Sequence, residues 1–301
     1  MNIEKRNNYE TTMSLNGIDT LSGYVDGKML EGKSLNVTRN NYKPNIGKTY
    51  LIINPNKNTN GERLITKYSE FLMKMEKILQ EMGATLEELD IIRSDFCFNS
   101  QDEKSFEDYR KLHRLLISCL AKAYKYKNCY VSCDLWDFKP LSIAIKKDDS
   151  EAENYDKKKQ SNGKDESSNR LELRSKDMSG TSLEYQFMER WFERLNKAKK
   201  CFKEVQQEAN DHLEKLYKED LKKDKKDRNY VSLTAFLLQH KESIYCTAQM
   251  VDLLGRFEEV TNPERKAKKF KEKHNIEYFS QRDLDHIVKV LENKTKEYFN
   301  S

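Results

Sequence analysis

The chain has 301 residues, enough for one large domain or two modest ones, and its net charge of +5 is a small excess from many charges of both signs. With 37% hydrophobic and 35% charged residues it is surface-rich, and that balance permits an anionic partner without demanding one. No run is long or apolar enough to span a membrane, and the opening MNIEKRNNYETT lacks the apolar stretch of a signal peptide, so a cytoplasmic location is expected.

Residues 1 to about 45 are rich in Asn, Gly and Thr, and Gly17, Gly23, Gly27 and Gly32 punctuate short segments. The reading there is a hairpin or a loosely ordered lead segment. Lys48–Asn54 is a strand of β-branched and aromatic residues that stops at Asn-Pro. A helix is predicted from about Gly61 to Met82, through Leu64, Ile65, Tyr68, Phe71, Leu72, Met75, Ile78 and Leu79, with Gly83 as its stop. Leu89–Phe98 is the next strand. Alternation puts Arg93 and Asp95 on one face with Ile91 and Cys97, and Ile92, Phe96 and Phe98 on the other. A second amphipathic helix is predicted over Ser105–Tyr126, followed by strands at Asn128–Cys133 and Leu141–Ile145.

Ser142 to Met178 holds two strands joined by a polar loop from Lys158 to Asn169. The first strand ends at Asn154-Tyr155-Asp156-Lys157. The second, Arg170–Arg174, puts Leu171 and Leu173 on one face and Arg170, Glu172 and Arg174 on the other. The expected architecture is α+β: a mixed or antiparallel sheet with helices packed on one face, then a long helix and a small all-helical, helix-turn-helix-like C-terminal unit. The face left over should hold Arg93, Asp95, Tyr155 and Glu172. A tyrosine, a carboxylate and several cations on neighbouring strands suit phosphoryl transfer; the plainer alternative is a solvated face with cross-strand ion pairs.

At Thr181 the pattern changes, and Thr181 with Glu184 fits a capping box. Leu183, Phe187, Trp191, Leu195, Ala198, Phe202, Val205, Ala209, Leu213 and Leu216 recur at gaps of three and four, which reads as one long helix. The charged run Lys222–Arg228 is taken as a linker. Four helices follow, near 232–242, 247–258, 263–274 and 281–298, with caps at Ser232, Thr247, Asn262-Pro263 and Ser280. The third carries Arg265, Lys266, Lys268, Lys269, Lys271 and Lys273 against two acids, the charge a DNA-reading helix needs. With Ala267 and Phe270 inward, Lys268, Lys271 and Arg265 should project together. The divisions expected are a lead segment over 1–45, a sheet domain over 46–180, the long helix and linker over 181–228, and a helical DNA-binding unit over 229–301.

The six cysteines and five histidines add little. Only Cys129 and Cys133 are close in sequence, a weak sign of metal, while Cys97 and Cys119 sit inside apolar patterns and read as buried thiols. No two histidines share a strand or a helical turn, which removes the metalloprotease motif and any nuclease centre built on adjacent histidines.

Taken in order, Arg93-Ser-Asp95 before a covering helix, Tyr155-Asp-Lys157 with Gln160 soon after, Asn169-Arg-Leu-Glu-Leu-Arg174, and the tail from Asn262-Pro through Glu277-Tyr-Phe-Ser280 resemble the Rep_trans family of rolling-circle replication initiators and the related relaxases of integrative elements. The resemblance covers roughly residues 45 to 290. It departs from the family pattern at Gln160, where an acid is common, and in the highly charged loop after Tyr155. It implies a plasmid replication initiator that binds an origin duplex and nicks one strand, with Tyr155 held on the 5′ phosphate and a 3′ hydroxyl freed for host helicase and polymerase. In that reading Lys157, Lys158 and a divalent ion lower the tyrosine pKa, ordinarily ≈ 10. Asp95 and Glu172 hold Mg²⁺ or Mn²⁺ as oxygen donors. Arg93, Arg170 or Arg174 clamp phosphates. Two other readings fit the same residues: a DNA-binding regulator without catalysis, and a scaffold that uses the long helix as a homodimer seam.

Overall fold

The computed structural model describes residues 1, 3–27, 29–59, 61–125, 128–133, 140–146, 149–163 and 168–301. Helix α1 (Ile3–Thr12) leads into strand β1 (Leu15–Asp26), β2 (Val37–Lys43) and β3 (Lys48–Ile53). Two short strands, β4 (Lys57–Asn58) and β5 (Gly61–Glu62), pair with each other ahead of helix α2 (Tyr68–Met82). Then come β6 (Leu89–Ser100), α3 (Ser105–Tyr124), β7 (Asn128–Cys133), β8 (Pro140–Lys146), β9 (Ser150–Tyr155), a single helical turn α4 (Lys157–Gln160) and β10 (Asn169–Lys176).

Among the described residues eight strands form one sheet in the order β2-β3-β1-β6-β10-β9-β8-β7, and every neighbouring pair is antiparallel. Residues 15–26, expected within a lead segment, are therefore a central strand of the sheet. Sequence periodicity hid it because Gly17 and Gly23 interrupt the apolar alternation where the neighbouring backbone comes close. A Cβ at Gly17 would lie 2.3 Å from the Ile65 carbonyl, and one at Gly23 2.5 Å from that of Asp90. The helix expected from Gly61 starts at Tyr68; Leu64 and Ile65 lie in the connection before it.

One face of the sheet is covered by helices. Ile18, Leu21 and Val25 of β1, Phe96 and Phe98 of β6, Ala152 of β9, and Leu171 and Leu173 of β10 are buried there in one core with α2 and α3. Phe96 lies 5.2–5.9 Å, centroid to centroid, from the rings of Phe98, Phe187, Tyr298 and Phe299. That aromatic cluster fixes β6, and with it the opposite face.

The long helix is one continuous helical path from Leu183 to Leu221, but not one uniform α-helix. A π-helical segment (Tyr185–Arg190) precedes α5 (Trp191–Ala198), and a 3-10 turn (Lys199–Cys201) separates that from α6 (Phe202–Leu221). A three-and-four spacing cannot distinguish these windings. The N-terminal cap is Ser182, whose hydroxyl accepts the Tyr185 N–H at 3.1 Å; the Thr181 hydroxyl instead donates to the Met178 carbonyl.

A 3-10 turn (Lys225–Asp227) leads to α7 (Leu233–Gln239), α8 (Thr247–Gly255), α9 (Pro263–His274) and α10 (Gln281–Phe299). Leu213, Tyr217, Phe236, Met250, Leu253, Ala267 and Phe270 form a second, separate core. Helix α10 does not belong to it: Leu284, Ile287, Val288 and Leu291 join the sheet core. Asp283 caps α10 through Ser280 and also accepts from the Met1 ammonium at 3.3 Å and Arg6 Nε at 2.7 Å, tying α1 to the C-terminal helix.

Candidate functional site

The strand register decides which side chains meet on the second face. Across β6 and β10, Asn99 lies opposite Arg170, Cys97 opposite Glu172, Asp95 opposite Arg174 and Arg93 opposite Lys176. Across β10 and β9, Arg170 lies opposite Tyr155, Glu172 opposite Glu153 and Arg174 opposite Glu151. Directly opposed residues of an antiparallel pair point to the same side. Arg93, Asp95, Tyr155, Glu172 and Arg174 thus share one face, as alternation on the separate strands leads one to expect. Asp19 joins them through a bulge: the β1–β6 register shifts between Ile18 and Thr20, and the extra residue turns toward Arg170.

At the centre Tyr155 Oη donates to Glu172 Oε2 at 3.0 Å. Arg174 bridges three carboxylates: its Nε donates to Asp95 Oδ1 at 2.9 Å, Nη1 to Glu151 and Nη2 to Glu172. Arg93 forks onto Asp95, with Nε on Oδ1 at 3.0 Å and Nη2 on Oδ2 at 2.7 Å. Arg170 donates from Nε to Asn99 Oδ1 at 2.9 Å and pairs through Nη1 with Asp19 at 3.0 Å. Lys176 pairs with Glu151. The groups bury one another: Asp95, Arg170, Glu172 and Tyr155 are all buried, whereas the Arg93 side chain keeps 36% of its surface in solvent.

Burial and charge set the protonation. Burial, then the negative charge of Asp95, pushes the Glu172 carboxyl up to about 7 despite Arg174 and Arg170. Burial, then Glu172, raises Tyr155 well above the ordinary phenol value. Burial opposes the Glu151 charge, but Lys176 and Arg174 outweigh it and hold that carboxyl below its usual range. The Cys97 thiol is raised by burial and is a poor nucleophile.

Three expectations change here. The Tyr155 pKa is raised, not lowered. Lys157 Nζ lies 6.0 Å from the ring centroid, while Lys158 turns away to Glu103 at 2.8 Å, so burial and Glu172 prevail. Asp95 and Glu172 are close, but neither is an open oxygen donor. Both Asp95 oxygens are taken by Arg93 and Arg174, and the two Glu172 oxygens by Arg174 and Tyr155. The guanidinium of Arg174 fills the place between the carboxylates, so these residues do not fit Mg²⁺ or Mn²⁺ as they stand, and among the described residues no cluster of three or more His, Cys, Asp and Glu could hold one. Finally, Arg174 is committed to three carboxylates and Arg93 to one, Asp95, and Arg93 is the more exposed of the two guanidiniums. The side chains of Cys129, Tyr130 and Cys133 lie outside the described residues.

Sequence reasoning missed Asp19, Glu151 and Lys176. Alternation along Glu151-Ala-Glu-Asn-Tyr155 would have placed Glu151 with Tyr155. Nothing local announces the bulge that delivers Asp19.

The basic helix α9 occupies its expected span, with Ala267 and Phe270 inward and Asn262 accepting the Arg265 N–H at 2.9 Å. Its cations divide differently from expectation. Lys271 lies over the Tyr278 ring at 5.3 Å, whereas Arg265, Lys266 and Lys269 line one concavity with Asn262 and Thr261. The connection from α8 to α9 is residues 256–262, longer than the three or four residues of a tight helix-turn-helix. No helix among the described residues is long and apolar enough to cross a membrane.

No protein-family model and no curated protein matches the sequence. Among solved structures the chain is similar to one described as "Structure of Rolling Circle Replication Initiator Protein from Geobacillus stearothermophilus", at 10% identity over 54% of this chain and 74% of that one, with a TM-score of 0.32.

Proposed function

We propose that the chain cleaves and rejoins one DNA strand by transesterification, with Tyr155 as nucleophile and Glu172 as its general base, in the role of a replication initiator. The observation that carries this reading is the Tyr155–Glu172 hydrogen bond at 3.0 Å, with a carboxyl tuned to about 7. A phenol far above its usual pKa is not ionised in advance, so its proton must leave as it attacks. A carboxylate near neutrality, already accepting that proton in a hydrogen bond, is matched to the task. Tyr155 Oη bonds to phosphorus, the bond from phosphorus to the 3′ oxygen breaks, and the Tyr155 proton passes to Glu172, which can return it to the leaving 3′ oxygen. One phosphoester replaces another, so the step needs no ATP. Arg93 is the guanidinium best exposed to receive the phosphate, and Arg170 lies beside Tyr155 on β10.

The base must be ionised to act. Nicking is therefore expected to rise about tenfold per pH unit below about 7 and to level off above it. Glu172→Gln keeps an acceptor for Tyr155 but cannot take the proton. It should lower the single-turnover rate by about 10²–10⁴ and remove the inflection near pH 7. An unchanged profile in that variant rejects Glu172 as the base.

Duplex recognition is assigned to α9. Replacing Arg265 and Lys269 with Ala should weaken binding to the origin duplex and flatten the log–log salt slope by roughly two, at about 0.9 per lost phosphate contact. Cleavage of a short single-stranded oligonucleotide should be unaffected, because the two cores are separate. Wild-type affinity and slope in that variant would make the helix a solvated face.

A further inference from the structure

The second face of the sheet continues past the ion-pair network to β1, β3 and β2. There Ser22 lies opposite both Arg93 and Ile52, Tyr24 opposite Tyr50, Asn41 opposite Tyr50, and Lys43 opposite Lys48. Alternation along β1 puts Tyr24 on the Ser22 side, and hence on the side of Arg93 and Asp95. The Tyr24 and Tyr50 rings are half-buried, 5.3 Å apart and inclined at 49°. Lys43 Nζ lies 5.5 Å from the Tyr24 centroid and 5.4 Å from that of Tyr50, and donates to Tyr24 Oη at 3.3 Å. Arg39, exposed on the edge strand, lies 5.8 Å from the Tyr50 centroid. Among the described residues neither Arg39 nor Lys43 pairs with a carboxylate, which leaves both side chains available to an outside anion.

We propose that Tyr24, Tyr50, Arg39 and Lys43 form a platform for single-stranded DNA, with bases stacked on the two rings and phosphates held by the two cations. The proposal rests on the reading of this chain as a DNA-processing protein and names how it holds the strand. Aromatic rings with cations close by are what sequence-tolerant single-strand binding uses. Acids bound the platform on one side: Asp90 lies opposite Tyr24, and Asp26, Glu87 and Glu88 line the adjoining concavity. A phosphate backbone is therefore confined to the β2 side and to the direction of Arg93. From Tyr24 to Tyr155 the face spans three strand spacings of about 4.8 Å across and about nine residues of roughly 3.3 Å along. That is about 30 Å, a length suited to a strand of several nucleotides.

The test is binding of fluorescein-labelled dT20 to the full chain, measured by anisotropy. Tyr24→Leu and Tyr50→Leu should each weaken binding about 5- to 150-fold, while Tyr24→Phe and Tyr50→Phe stay within about twofold. Arg39→Gln with Lys43→Gln should flatten the salt slope by about 1.4, at about 0.7 per contact on a single strand. In the unaltered protein, photocrosslinking to a 5-iodouracil oligonucleotide should label peptides containing Tyr24 or Tyr50, which keeps the test independent of variant folding. Leucine variants with wild-type affinity, crosslinks confined to other segments, no binding of dT20, or tighter binding of rU20 would each overturn the proposal. Loss of nicking chemistry at Tyr155 with this binding intact would instead reject the catalytic reading alone.

Discussion

Tyr155→Phe is expected to eliminate strand nicking and the covalent protein–DNA adduct while leaving the fold and DNA binding in place. The ring stays packed, since only the Oη is lost from a residue that is 5% exposed. The lost hydrogen bond to Glu172 costs about 1–3 kcal/mol at most, the upper end applying where the carboxyl is ionised, and Arg174 still holds the other Glu172 oxygen. The chemical effect is much larger, for among the described residues no second hydroxyl donates to Glu172. The check is a nicking assay on a supercoiled origin plasmid with thermal unfolding of the same preparation. Residual nicking at the wild-type rate would place the nucleophile elsewhere, and Tyr185, 44% exposed at the start of the long helix, is the next residue to replace.

The second large effect is on stability. Arg174→Met is expected to destabilise the protein by about 3–5 kcal/mol, because the fork that joins Asp95, Glu151 and Glu172 is removed and their charges are left in a poorly solvated site. Asp95 keeps Arg93 and Glu151 keeps Lys176, so Glu172 bears most of the loss. In a chain of this size that corresponds to a fall in Tm of roughly 6–20 °C. The pH dependence has a definite sign. The folded-state pKa of Glu172 is already above the unfolded value of about 4.3, and losing Arg174 raises it further. The folded variant then binds a proton that the unfolded chain does not, so its deficit should be smaller at pH 5 than at pH 8. Arg174→Lys should recover little, since a point ammonium cannot span three carboxylates. A deficit below about 1 kcal/mol at pH 8 would show that the carboxylates are well solvated without Arg174.

The parts of the site legible in the sequence are those governed by period-two alternation. Leu89–Phe98 and Arg170–Arg174 display their faces in the chain itself, and the register sets Asp95 opposite Arg174 and Tyr155 opposite Arg170 on the face so exposed. Helix α9 was legible because Asn262, Pro263 and the Ala267–Phe270 stripe are local signals. What the sequence could not supply depends on long-range pairing. Strand β1 carries glycines where backbones crowd together, so it reads as part of a hairpin or a loosely ordered lead segment, although it pairs with β3 on one side and β6 on the other. The role of Arg174 inverted for the same reason. Read alone it is a phosphate clamp, but the placement of β9 beside β10 brings Glu151 within its reach and turns it into a counter-ion.

In the proposed reaction Tyr155 Oη is the nucleophile that attacks phosphorus. The most direct measurement uses the unaltered protein with a single-stranded oligonucleotide carrying the nick site, followed by denaturation, proteolysis and mass spectrometry of the nucleotide-bearing peptide. The predicted result is a peptide spanning Ser150–Lys157 with a nucleotide on Tyr155 through its 5′ phosphate, formed in a yield that rises with pH through about 7. A nucleotide on any other residue, or cleavage with no protein-bound product, would contradict it.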